Sequence, residues 1–90
     1  MKVIIDGKHI KSEEDFHSVL ARELDFPDFY GQNLDALWDC MTGFVSMPLH
    51  LTWANYSVSE KKMSDSLKAI IELFNNLVKE KVGFSYELIG

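Results

Sequence analysis

Apolar residues recur along this chain in two rhythms, one suited to strands and one to helices. Lys2 to Asp6 opens with a β-branched apolar run and little alternation, the pattern of a short strand buried on both faces of a parallel sheet. Asp6-Gly7 then turns the chain. Ser12, followed by Glu13, Glu14 and Asp15, has the form of a capping box with acids loaded at the positive end of a helix. Phe16, Val19, Leu20 and Leu24 supply that helix's apolar stripe, and Pro27 keeps it from continuing.

A second helix is predicted from Asn33, a good N-cap, to Gly43, which can close a helix in the left-handed conformation. Past Pro48, Leu49, Leu51 and Trp53 alternate with His50, Thr52 and Ala54, which predicts a strand with Trp53 in the core. Tyr56, Val58 and Met63 suggest a short helix. Ser64 or Asp65 can then cap a longer one carrying Leu67, Ile70, Ile71, Phe74, Leu77 and Val78 at helical spacing. Lys79 and Lys81 complement its C-terminal dipole, Gly83 ends it, and Phe84 to Ile89 reads as a final strand. The fold class is therefore α/β: a small three-stranded parallel sheet packed with three to four helices in a single domain, with right-handed crossovers.

Composition changes this picture in three ways. Ninety residues, 47% of them hydrophobic, suffice for one core without metal or disulfide staples. Cys40 is the only cysteine, so no internal disulfide forms, and the opening apolar run is too short for a signal-peptide core or a membrane span; a cytoplasmic protein is expected. The net charge of −5 is unevenly placed. Glu23 to Glu60 holds six acids and no Lys or Arg, whereas the rest of the chain carries nine basic groups against eight acids. All the net negative charge thus lies mid-chain, which argues against nucleic acid or anionic membrane as a direct partner and favours a basic protein.

That acidic middle has a defined arrangement. At about 100° per residue, Leu34, Leu37, Trp38 and Met41 share one stripe of the second helix, with Asp35, Asp39 and Thr42 beside it. Asp35 gains from the helix dipole; Asp39, four residues on, repels it by roughly 0.2 to 0.5 kcal/mol. No Lys or Arg within the helix neutralises either acid. Solvated helix faces often carry such pairs, but Phe29 and Tyr30 precede this one and Phe44 follows it, and aromatics beside charge are enriched at binding surfaces.

Catalytic and metal chemistry find less support. His9, His17 and His50 stand at no metal-like spacing from one another or from Cys40; His17, beside Phe16 on the first helix, reads as a partly buried, hydrogen-bonded residue. The glycines form no phosphate-cradling loop, and no cofactor is expected. An acid-base hydrolase using Asp35 and Asp39 would need a cleft to raise one carboxyl's pKa, which an exposed helix face does not provide. Cys40 has no His in sequence reach.

The stretch YGQNLDALWDCMTG, with the PDF before it, the PL after it and Trp53, resembles the barstar family of intracellular inhibitors of secreted ribonucleases, along nearly the whole chain. The resemblance implies a non-enzyme that binds a small basic, guanyl-preferring, barnase-type ribonuclease one to one and blocks its active site. It implies that Asp39 enters the phosphate site and that Asp35 pairs with further basic groups. Phe29, Gly31, Asn33, Leu34, Trp38, Thr42, Gly43, Phe44 and, on the long helix, Asn76 complete the implied contact surface. This chain departs from the family pattern at Phe29, which lacks a tyrosine's hydroxyl, and at Phe44, where tryptophan is usual. Ser46 and Asn76 stand where acids are expected, and Val82 replaces a second cysteine. A different basic protein, met by an antitoxin- or immunity-like module of the same fold, is the alternative partner.

Overall fold

The computed structural model describes all residues from Met1 to Gly90. Three strands, β1 (Lys2–Asp6), β2 (Leu49–Ala54) and β3 (Phe84–Leu88), lie in the order β1-β2-β3 with every pair parallel. The register sets Val3 beside Leu51, Ile5 beside Trp53 and Leu51 beside Tyr86. Parallel neighbours need crossovers, and these are made by α1 (Glu13–Glu23) with α2 (Leu34–Gly43), and by α3 (Tyr56–Glu80). The three-stranded α/β fold read from the sequence is the fold observed.

β1 departs from expectation in one respect. Val3 and Ile5 are buried but Ile4 is 66% exposed, so the strand is buried on one face rather than two. The register explains the difference: all three strands present their second face to solvent, where polar side chains replace a covering helix. There His50 Nδ1 meets Ser85 Oγ at 2.7 Å, its Nε2 lies 3.2 Å from Glu87 Oε1, and Thr52 donates to the same oxygen at 3.1 Å.

The covered face is one continuous apolar core. Phe16 of α1 stacks on Trp53 with ring centroids 5.3 Å apart, and Phe74 of α3 packs against Phe16, Phe84 and Tyr86. Trp53 Nε1–H donates to Ser59 Oγ at 3.3 Å, and that hydroxyl donates to the Gly7 carbonyl at 3.1 Å. The buried polar atoms of this corner are thus paired. Gly7 lies so near Asn55 that a Cβ there would stand 2.1 Å from the Asn55 carbonyl oxygen.

Local signals set the helix ends, with two changes. Ser12 Oγ accepts from the Asp15 amide at 3.0 Å as expected, but the Asp15 carboxylate reaches the Lys11 amide at 3.0 Å instead of closing the box on Ser12. The short and long helices expected after β2 form one element with a kink at Met63, whose φ of −121° and ψ of 21° are non-helical. The backbone at Met63, rather than a Ser64 or Asp65 cap, makes the break. Asn55 enters α3 at a φ of 53° without capping it, because its side chain donates to Asp6 at 2.9 Å. No helix is long and apolar enough to cross a membrane.

Candidate functional site

α2 forms because Asn33 starts it cleanly. The Asn33 Oδ1 accepts from the Ala36 amide at 2.8 Å while its Nδ2 donates to the Gly31 carbonyl at 3.3 Å, so one side chain fixes both the helix start and the turn before it. Gln32, at φ 50°, is the left-handed residue of that turn, rather than Gly31. Leu37 and Met41 are fully buried and hold the helix to the core; Leu34 and Trp38 are half-buried beside them. Asp35 and Asp39 are exposed, and neither has a cation within 4.0 Å. The helix presents them on a backbone anchored in the core through Leu37 and Met41.

The far end differs from the sequence reading. Gly43 stays helical and has no positive φ; α2 is closed by Phe44, whose amide donates to the Cys40 carbonyl at 2.9 Å. A Cβ on Gly43 would meet nothing within 4 Å, so the glycine leaves bare backbone open to the outside. Thr42 Oγ1 donates to the Trp38 carbonyl at 2.8 Å, and its hydroxyl is thereby committed to the helix. Half-burial, followed by the Asp39 charge, pushes the Cys40 thiol pKa up, which disfavours the reactive thiolate.

Two exposed aromatics flank the acids. Phe29 is 88% exposed and Phe44 51%. Phe26 packs its ring on Tyr30 at 4.8 Å and edge-on to Phe44 at 6.4 Å, so one buried ring backs Phe44 at one end of the face and Tyr30, the chain neighbour of Phe29, at the other. Asn76 is exposed on α3 and makes no hydrogen bond to α2; the structure assembles the other predicted contact residues on α2 and its two ends but does not tie Asn76 to them.

The approach loop is clamped by a histidine. His17 is fully buried, with Nδ1 2.6 Å from the Tyr30 hydroxyl and Nε2 3.5 Å from Glu13 Oε1. A neutral ring fits this arrangement, Nδ1 accepting the phenol proton while Nε2–H faces the carboxylate. Burial lowers the His17 pKa below its ordinary 6.5, against the opposing pull of Glu13, and burial raises that of Tyr30. The folded state then binds fewer protons than the unfolded one below 6.5. Stability is fully present above that pH and is lost as pH falls towards the folded-state pKa. Urea titrations should show unfolding free energy declining below pH 6.5 in the wild type and a flatter profile in His17→Gln; equal slopes would contradict this account.

Sequence reasoning missed Lys81 at this site. Its Nζ donates to the Thr42 carbonyl at 2.9 Å, bringing a cation from the end of α3 to the end of α2. No local signal could reveal this, because the two residues are 39 positions apart. The structure's single pocket, of about 280 Å³, is lined by Tyr56, Glu60, Ser64, Leu67, Lys68 and Ile71 of α3, and contains no residue of α2. The acidic face is therefore a presented surface and not a cleft. No cluster of three or more metal-ligating side chains occurs.

Comparison with known proteins agrees with this architecture. Residues 1–88 match the family described as Barstar (barnase inhibitor). A Bacillus subtilis (strain 168) protein named "Putative ribonuclease inhibitor YrdF" is 42% identical over 79 residues, spanning 88% of this chain and 87% of that protein.

Proposed function

The chain belongs to the barstar family, and from that premise we propose that it is a cytoplasmic inhibitor of a small basic, guanyl-preferring, barnase-type ribonuclease. It binds one to one through the α2 face and is a monomer when free. The observation that carries this reading is the pair of unpartnered carboxylates, Asp35 and Asp39, held on a packed helix between the exposed rings of Phe29 and Phe44.

A ribonuclease must hold a polyanion, so its active site is cationic. Two carboxylates on a rigid helix meet those cations as phosphates do but offer no scissile bond, and charged hydrogen bonds to Arg are strongest where water is excluded. The flanking aromatics supply the area that excludes it. Gly31 and Gly43, together with Asn33, Leu34, Trp38 and Thr42, form the close-fitting surround, and Asn76 contributes from α3. In this reading the acids bind rather than catalyse, standing in the open on a helix face.

A second reading is favoured by the uncharged Ser46 and Asn76, which leave this face less acidic than the family pattern. In that reading the same face serves an antitoxin-like module for another basic protein. Titrating fluorescent RNA cleavage by a purified barnase-type ribonuclease distinguishes the two. Stoichiometric inhibition is expected, with onset slowing as the screening length falls to about 8 Å in physiological salt. Absence of inhibition at any salt concentration would transfer the proposal to the other basic partner.

A further inference from the structure

We infer that Lys81 is a positioning residue for the α2 face, an inference that rests on the inhibitor reading above. α2 has no basic side chain in its last turn, although a helix C-terminus leaves several carbonyls without helical partners and gathers partial negative charge there. In this helix that charge lies one turn beyond Asp39, with no basic side chain of α2 to offset it. The missing cation arrives from outside. Lys81 Nζ donates to the Thr42 carbonyl at 2.9 Å, and Thr42 in turn donates its hydroxyl to the Trp38 carbonyl at 2.8 Å. The last turn, which begins just beyond Asp39, is tied from both sides.

Lys81 delivers this bond from a fixed base. Its amide donates to the Leu77 carbonyl at 2.8 Å to end α3, and its own carbonyl accepts from the Phe84 amide at 3.2 Å as β3 begins. Two residues on, Gly83 takes a φ of 98° close against Met47 and Pro48, and its carbonyl accepts from the amide of Leu49, the first residue of β2, at 2.9 Å. One residue therefore ends α3 with its backbone and satisfies a last-turn carbonyl of α2 with its side chain.

The position of Lys81 gives its two effects opposite signs. As a cation it weakens long-range attraction for a basic partner; as a tie it holds the end of α2, and with it Asp39, in one geometry. Removing it should leave association unchanged or faster at low salt while dissociation accelerates. Loss of global stability alone would not make the two rates diverge.

Stopped-flow association and dissociation with a barnase-type ribonuclease, on wild type, Lys81→Met and Lys81→Arg, test this. The methionine variant should dissociate about two- to fivefold faster, the range that a helix-terminal charge spans, with no slower association, and arginine should restore the wild-type rate. Amide hydrogen exchange in the free protein should accelerate at residues 40–44 in Lys81→Met and not in α1. A wild-type dissociation rate in Lys81→Met, while the wild type inhibits, overturns this inference alone. A wild type that neither binds nor inhibits overturns the reading beneath it, and this inference with it.

Discussion

Asp39→Ala is expected to weaken the complex with a barnase-type ribonuclease by more than about 2 kcal/mol, the threshold for an interface anchor and one for which a barstar complex is itself a standard example. The structural reason is asymmetry between the free and bound states. In the free protein Asp39 makes no ion pair, and its like-charge neighbour Asp35 sits one turn away. Removing it costs the fold nothing and relieves roughly 0.2 to 0.5 kcal/mol of repulsion. In the complex the same deletion leaves cations of the ribonuclease desolvated and unpaired, which is costly in addition to the lost attraction. Calorimetric affinity and a urea midpoint on the same preparation check both halves. Weakened binding with an unchanged or slightly raised midpoint is expected; unchanged affinity would remove Asp39 from the binding role.

Phe26→Ala carries the second large effect, and it falls on stability and binding together. Phe26 is 7% exposed and sits between Tyr30 at 4.8 Å and Phe44 at 6.4 Å. Deleting a buried Phe ring costs about 3 to 5 kcal/mol, and the lower end applies here because a loop can settle into part of the cavity. Since a domain of this size is stable by only roughly 5 to 15 kcal/mol, the variant should remain folded at low temperature with a much lower urea midpoint. Its affinity should fall further than that of Phe44→Ala, because Phe26 supports Phe44 and also Tyr30 in the turn before α2. Phe26→Leu, which fills most of the volume, should recover most of both losses. A Phe26→Ala protein as stable as wild type, or one binding better than Phe44→Ala, would contradict the shared-support account.

The sequence disclosed what depends on neighbours in the chain. The Asn33 cap, the buried stripe of Leu37 and Met41, and the alternation around Trp53 were all legible, because each follows from spacing within one element. What escaped was decided by contacts between elements. Ile4 looked buried because its strand is uniformly apolar, and only the placement of every helix on one face of the sheet exposes it. Gly43 looked like a left-handed stop, yet the closing amide comes from Phe44. The break at Met63 lies between two segments that the sequence separated correctly but capped wrongly.

At the site the same division holds. Asp35 and Asp39 could be placed on a common face from their four-residue spacing, and the flanking aromatics from their position at the helix ends. The support behind them could not. His17 and Tyr30 are 13 residues apart, and Lys81 and Thr42 are 39 apart; neither pair has a local signature. Lys81 was legible only as a cation suited to the end of α3, and its second role requires knowing that α2 ends beside it.

The proposed inhibition has Asp39 in the ribonuclease's phosphate site and Asp35 on the basic groups beside it. The most direct test is competition: association of this protein with a barnase-type ribonuclease is followed while a guanosine mononucleotide that binds the active site is titrated in. The account predicts strict competition, with apparent affinity falling in proportion to nucleotide occupancy and the effect lost in Asp35→Ala, Asp39→Ala. Simultaneous binding of nucleotide and protein at undiminished affinity would contradict it.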